Sequence, residues 1–134
     1  MTISRKTGRV LLIFSIALIA AIAYPWNDLQ DHSHWARVGW IPFLSPPVRF
    51  FDIVANVVLF VPLGVAVAAT SRKPIMSAGL FALAVSIAVE SLQLYSHSRF
   101  PSATDVVCNV VGAISAAYLV VRRTRSHADQ SSMR

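Results

Sequence analysis

An aspartate and an asparagine four residues apart occur twice in this sequence, each time at the start of a strongly apolar stretch. Asp52 and Asn56 lie in DIVANVV, and Asp105 and Asn109 lie in DVVCNVV. A spacing of four residues places both side chains of a pair on one face of a helix. A carboxylate accepts hydrogen bonds and an amide both donates and accepts, so each pair can bind a polar group. The repeat predicts two similar walls of one polar site.

A third apolar stretch adds Glu90 and Gln93, and the connection that follows it carries Arg99. A charged side chain that faces lipid costs roughly 2.5–3.5 kcal/mol, so Glu90 and both aspartates are expected to face one another. Three acids against Arg99 leave negative charge in excess. The site therefore needs a protonated carboxyl group, a second base such as Arg49, or a cationic ligand.

These observations predict a ligand-binding site of three apolar segments and one connection, formed by Asp52, Asn56, Glu90, Gln93, Arg99, Asp105 and Asn109. For some of these residues a structural role is an open alternative to ligand binding. Ser102-Ala103-Thr104-Asp105 fits a capping box, in which Asp105 caps its own helix, and Asp52 lies near its helix start. Gln93 and Arg99 fit a structural role in which they neutralise Glu90.

The composition is that of a membrane protein. Of the 134 residues 55% are hydrophobic and 13% are charged, and the mean hydropathy is +0.59. Apolar stretches long enough, or nearly so, to cross a bilayer predict an all-α bundle of four transmembrane helices with short connections, at 10–24, 50–70, 75–95 and 103–121. We expect a basic amino terminus at 1–9, a membrane domain at 10–121 and a basic, disordered tail at 122–134.

The first stretch is short. It follows a basic start, and Ala21-Ile22-Ala23 has the form of a signal-peptidase site. A retained helix is the preferred interpretation and a cleaved signal is the alternative.

The distribution of Lys and Arg predicts the orientation. Nine of the twelve bases fall on one side if the four segments alternate: Arg5, Lys6, Arg9, Arg72, Lys73, Arg122, Arg123, Arg125 and Arg134. Positive charge marks the cytoplasmic side, so both termini are expected in the cytoplasm and the polar site at the outer face of the inner membrane. The net charge of +6 is thus a topology signal, and we expect no nucleic-acid partner.

Small residues and one proline predict how the helices pack. Ala78, Ala82, Ser86 and Glu90 recur every four residues, which predicts a helical face that allows close approach. Pro62 is expected to kink its helix, with Gly64 adding freedom, and Gly112 to form a helix contact. The connection 25–48 is rich in Trp and Pro and is expected to lie on the membrane surface as a partial lid or an aromatic belt.

The polar residues in their order and spacing, with Pro62-Leu63-Gly64, Gly112 and the preceding Ile41-Pro42-Phe43, resemble the VanZ-like family of small bacterial membrane proteins. The resemblance covers roughly residues 41–121. It implies a four-helix membrane domain whose namesake is an accessory factor for resistance to the lipoglycopeptide antibiotic teicoplanin. It implies no settled biochemical activity for most members.

We expect a module that binds the polar part of a lipid-linked envelope precursor or another amphiphile. An intramembrane enzyme that uses Glu90 or Asp105 as a general base is the second hypothesis, although no activated nucleophile is evident. A structural or partner-binding protein is the third. His32 and His34 lack a third ligand nearby, so neither a metal nor a cofactor is expected, and Cys108 is expected to be a small packing residue.

Overall fold

The computed structural model describes residues 3–26, 28–45 and 49–132, with side chains described up to residue 126. Over these ranges the chain forms four long helices, α1 Arg5–Ala23, α2 Phe50–Thr70, α3 Pro74–Gln93 and α4 Ala103–Ser132. A short 3₁₀ turn, Trp35–Arg37, lies between α1 and α2. Each long helix has the length and apolar composition to cross a membrane. The predicted all-α bundle of four transmembrane helices is confirmed.

The helix bounds follow local sequence signals. The predicted second segment coincides with α2. α1 begins earlier than the apolar stretch, because the Ser4 side chain accepts a hydrogen bond from the Thr7 backbone and starts the helix within the basic residues. The short first stretch thereby becomes a helix of 19 residues.

The fourth helix extends beyond its apolar stretch. Where the sequence predicts a disordered tail from residue 122, the backbone remains helical to Ser132. This part of the prediction is not what the structure shows. Neither Gly nor Pro follows Gly112, and the arginines and Ala128 favour helix, so nothing local stops the helix at the end of the apolar stretch. Residues 133 and 134 of the tail, and residues 1 and 2 of the amino terminus, lie outside the described residues.

The four helices run alternately up and down. Gly8 near the start of α1 lies against Ala69 and Thr70 at the end of α2. At the opposite end, Gln93 of α3 reaches Ala23 of α1. The predicted basic clusters therefore lie at one end of the bundle, and the ends of α1 and α3 lie at the other end. This is the arrangement that alternating segments require. Arg134, which the sequence assigns to the basic end, is outside the described residues.

Two glycines allow α2 and α4 to touch backbone to backbone. A Cβ atom on Gly64 would overlap the Ala113 carbonyl, and one on Gly112 would overlap the Val57 carbonyl. Both glycines thus serve as helix contacts, which the sequence predicted for Gly112. Pro62 lies inside α2, which continues through it, and the expected kink stays a prediction.

The predicted small-residue face of α3 is turned inward. Ala78, Ala82 and Ser86 are fully buried, and Glu90 at its end is 9% exposed. Cys108 on α4 is also buried and free, as expected of a packing residue. Large apolar side chains such as Leu80 and Leu119 point outward instead. This inside-out pattern is expected of helices that pack through small residues and face lipid with large ones.

The connection between α1 and α2 is joined to the connection between α3 and α4. Backbone hydrogen bonds link Gln30 to Tyr95 and His34 to Leu94, and Gly39 pairs with both Pro101 and Ala103. Exposed aromatic side chains, among them Trp26, Trp35 and Trp40, cover its outer surface. The segment that the sequence predicts as a lid therefore lies at the end of the bundle; its residues 27 and 46–48 lie outside the described residues.

Candidate ligand-binding site

A cavity of about 810 Å³ opens at the end of the bundle opposite the basic residues. Its walls come from the end of α1, the first half of α2, the end of α3 and the start of α4, with the α3–α4 connection above. All of the predicted site residues line it: Asp52, Asn56, Glu90, Gln93, Arg99, Asp105 and Asn109. The structure thus brings together residues that lie up to 57 positions apart in the sequence.

The two Asp-Asn pairs form neighbouring walls because α2 and α4 are parallel and in backbone contact through the two glycines. The Asp105 carboxylate lies close to the Asn56 amide of the other wall and to Asp52. The repeated pattern therefore corresponds to two helices that present the same groups to one cavity.

Polar groups are graded by depth. Asp52 and Arg99 are exposed, and Asp105 is partly buried. Glu90 is 9% exposed and Asn109 is 3% exposed. Charged groups of both signs are therefore the more exposed part of the cavity wall, and Glu90 and Asn109 are its more buried part.

Glu90 caps the start of α4. Its Oε2 atom accepts a hydrogen bond of 2.7 Å from the Ser102 backbone N–H, while the Ser102 side chain accepts from the Thr104 backbone at 3.2 Å. In a capping box the Ser102 N–H would be bound by Asp105, three residues on. Because Glu90 of α3 binds it instead, Asp105 is not needed as a reciprocal cap and its carboxylate faces the cavity.

Asn109 is only half satisfied. Its Nδ2 atom donates to Ser86 Oγ at 2.8 Å, whereas its Oδ1 atom is buried without a hydrogen-bond partner. Leaving a buried acceptor unpaired costs about 1–3 kcal/mol. Because Asn109 lines the cavity, this unpaired acceptor lies at the buried end of the cavity wall.

Gln93 and Arg99 bind the end of α1. Gln93 Nε2 donates to the Ala23 carbonyl at 3.1 Å, and Arg99 Nη2 lies 3.4 Å from the Ile22 carbonyl. The last carbonyls of a helix lack partners within it, so these side chains complete the end of α1. The sequence suggested a structural role in which Gln93 and Arg99 neutralise Glu90. In the structure these two side chains donate hydrogen bonds to backbone carbonyls of α1.

Two arginines face three acids in the cavity wall. Arg49, which the sequence indicated as a second base, lines the same cavity as Arg99, Asp52, Glu90 and Asp105. Within the described ranges, no ion pair joins either arginine to a carboxylate. Part of each guanidinium group thus remains available to an anionic ligand.

Asp28 fixes the connection that carries Arg99, a role with no sequence signal because Asp28 lies in a loop far from the pattern. Its Oδ2 atom accepts hydrogen bonds from the Ser98 backbone at 2.6 Å and from Ser96 Oγ at 2.8 Å, and Ser96 Oγ accepts from the Arg99 backbone at 3.0 Å. The hydrogen bonds from Ser98 and Ser96 lower the pKa of Asp28 to about 2.

Sequence reasoning also missed Ser45, Ser98 and Ser102, which line the cavity as small polar residues of loops.

A third imidazole lies beside the two histidines of the α1–α2 connection. His97 lies beside His34, with ring centroids 6.2 Å apart, so the structure brings a third imidazole to His32 and His34. Nevertheless, over the part of the chain that the structure describes, no three His, Cys, Asp or Glu side chains are placed to hold a metal ion.

A bundle of four membrane-spanning helices with a polar cavity at one end defines an integral membrane protein. The sequence model of the VanZ/LLP1 family matches residues 9–124, most of the chain, and this protein belongs to that family. The resemblance carried by the polar residues is thereby confirmed. No curated protein and no solved structure matches the chain.

Proposed function

We propose that the cavity binds the polar part of a lipid-linked or amphiphilic molecule at the outer face of the cytoplasmic membrane. The observation that carries this proposal is the convergence of eight charged and amide side chains on one open cavity at the end of a transmembrane bundle. A polar chamber of this kind is unfavourable in a bilayer unless its groups pair or serve a ligand.

The cavity wall combines this polar set with apolar side chains. Val58, Leu59, Phe60 and Val89 lie beside the polar residues, and Phe100 lies in the connection above them. A site with both kinds of lining suits a molecule with a polar group and an acyl or other apolar part. The exposed tryptophans of the α1–α2 connection suit the headgroup region of the membrane.

The placement of the bases supports the location. The end of the bundle opposite the cavity carries the described basic clusters of α1, α4 and the α2–α3 turn, and such clusters favour the cytoplasm. On this basis both termini lie in the cytoplasm of a bacterial cell and the cavity opens outward. A contribution to envelope function or to teicoplanin resistance belongs to the same proposal, since both concern molecules outside the cytoplasmic membrane.

The proposal is tested by removing charge while keeping shape. The double variant Glu90→Gln and Asp105→Asn is expected to reduce retention of envelope lipids by the purified full-length protein and, in cells with equal protein levels, to change teicoplanin susceptibility. Asp31→Asn, an exposed carboxylate outside the cavity, is the matched control. Unchanged retention and susceptibility in the double variant would exclude the cluster from the function.

A structural role is the second candidate, and specific contacts favour it. Glu90 binds the Ser102 backbone and Gln93 binds the Ala23 carbonyl, so both hold elements of the bundle together. A purely structural cluster predicts that substitutions lower the amount of folded protein before they change ligand retention.

The enzymatic alternative gains less support. Ser86 and Ser91, the serines nearest Glu90 in sequence, do not line the cavity; Ser86 accepts from Asn109 and Ser91 donates to the Ile87 carbonyl. Turnover of a labelled lipid by the purified protein, abolished in Glu90→Gln without loss of binding, would establish catalysis.

A further inference from the structure

We infer that the cavity selects a phosphate ester bearing a primary ammonium group, with the ammonium directed inward to Asn109 and Asp105 and the phosphate held by Arg49 and Arg99. This inference rests on the proposed function and names the chemical class of its ligand. The phosphoethanolamine unit is the simplest member of that class.

The inward group must donate hydrogen bonds. Asn109 is 3% exposed, and its Oδ1 atom has no partner although its Nδ2 atom is fixed by Ser86. In the structure Nδ2 is the amide atom bound to Ser86 Oγ, which leaves Oδ1 as the atom that can accept a hydrogen bond. The carboxylate of Asp105, one helical turn away on the same face, is also an acceptor. An N–H or O–H group of the ligand satisfies both atoms, whereas a group without a donor leaves Oδ1 unpaired.

Charge distinguishes an ammonium from a hydroxyl. The wall contains three carboxyl groups and two guanidinium groups, so it offers partners both to a positive and to a negative group of one ligand. A phosphate with only hydroxyl groups adds further negative charge to this site. A zwitterion adds none, and places its positive charge beside Asp105 and its negative charge beside the arginines. A quaternary ammonium carries the charge but has no N–H for Asn109.

The depth of the groups sets the direction of the ligand. Both arginines are exposed, whereas Asn109 is among the most buried polar residues that the structure describes. An anionic group is therefore bound first near the opening, and arginine suits phosphate because its planar donors match the phosphate oxygens. The ammonium, at the end of a short ester arm, is the part that reaches the buried acceptors.

The test compares three lipids with identical acyl chains on the full-length protein in detergent micelles. Phosphatidylethanolamine, phosphatidylglycerol and phosphatidylcholine are offered at equal mole fractions, and bound lipid is counted by native mass spectrometry. Because hydrogen bonds to charged groups contribute about 1.5–3 kcal/mol, phosphatidylethanolamine is expected to be retained about tenfold or more over the other two. The phosphoethanolamine group occurs both as a lipid headgroup and as a free soluble molecule, and competition with free O-phosphoethanolamine distinguishes the two. Displacement of the bound lipid assigns the site to the soluble molecule, and retention of the lipid assigns the site to the lipid.

Variants connect this preference to the named atoms. Asn109→Leu and Asp105→Asn are expected to lower the preference to less than about twofold. Asn109→Asp keeps an acceptor facing the cavity and is expected to retain the preference, so it covers the case in which Asn109→Leu does not fold. Asp31→Asn is expected to behave as the unchanged protein.

The outcomes separate this inference from the proposed function. Equal retention of the three lipids, lost in Arg49→Gln with Arg99→Gln, would overturn the ammonium inference and leave the binding function standing. Retention that no cavity variant changes would overturn both. A preference for phosphatidylethanolamine that persists in Asp105→Asn and in Asn109→Leu would also contradict the inference.

Discussion

The carboxylate of Glu90 on α3 lies 2.7 Å from the backbone nitrogen of Ser102, the residue immediately before α4. This hydrogen bond joins the end of one membrane helix to the start of the next in the wall of the cavity. It places an acid at the amino terminus of α4, where the helix dipole stabilises negative charge. Glu90 therefore serves the fold and the cavity wall at once, and substitutions must separate these two roles.

Glu90→Gln and Glu90→Ala are predicted to differ in stability. The glutamine carbonyl still accepts from Ser102, whereas alanine leaves that N–H unpaired, which costs about 1–3 kcal/mol. Thermal unfolding in detergent should therefore show a lower midpoint for Glu90→Ala than for Glu90→Gln. Ser91→Ala, at an exposed neighbouring position, is the control. If both Glu90 variants have the same unfolding midpoint as Ser91→Ala, Glu90 does not cap α4.

Gly64→Ala and Gly112→Ala are predicted to destabilise the bundle by about 1–3 kcal/mol each, because the added methyl group would meet backbone of the facing helix. Gly79→Ala is the matched control: its methyl group would meet only Ile114 side-chain atoms, the nearest at 3.0 Å, which can shift. Unfolding midpoints of the three variants provide the comparison. Equal effects at all three positions would contradict close packing of α2 and α4.

Gln93→Ala is predicted to loosen the end of α1, since the Ala23 carbonyl then loses its donor. Hydrogen–deuterium exchange should rise at the last turn of α1 while the first turn, packed through Gly8 on Ala69, stays protected. Gln30→Ala changes an exposed glutamine of the α1–α2 connection and should leave both turns unchanged. Unaltered exchange in Gln93→Ala would mean that the α1 end does not depend on α3.

Asp28→Ala is predicted to lower stability at neutral pH, because Ser96 and Ser98 lose their shared acceptor. The folded-state pKa of Asp28 is about 2, below the ordinary 3.8, so its contribution is complete above the ordinary value and is lost as pH falls toward 2. The difference in unfolding midpoint between the unchanged protein and Asp28→Ala should therefore be constant between about pH 5 and about pH 8 and should shrink in acid. If the difference in unfolding midpoint instead shrinks between about pH 5 and about pH 8, the hydrogen bonds assigned to Asp28 are contradicted.

The sequence predicts the membrane helices and the candidate site for physical reasons. Long apolar stretches have few alternatives to a spanning helix, and polar residues such as Glu90 cannot face lipid without cost. Helical spacing then places Asp52 with Asn56, and Asp105 with Asn109, on shared faces. These constraints are local or follow from the bilayer, so they can be read without a structure.

Other features depend on distant contacts and have no local signal. The pairing of Glu90 with Ser102, which replaces Asp105 in the capping box, requires the ends of α3 and α4 to meet. The role of Asp28 depends on an α1–α2 connection lying against residues 96–98. The helical backbone beyond residue 121 differs from the predicted tail because absence of apolar periodicity does not by itself end a helix.

Thiol accessibility in intact cells tests most directly whether a polar chamber open to the outside exists within this bundle. In a Cys108→Ala background, a membrane-impermeant maleimide should label Asp52→Cys and, more slowly, Asn109→Cys without permeabilisation. Arg72→Cys, in the basic turn at the other end, should react only after permeabilisation, and the outward-facing Leu80→Cys should not react. Labelling of Asn109→Cys only after permeabilisation, or not at all while Asp52→Cys reacts, would contradict an outward-facing chamber shared by α2 and α4.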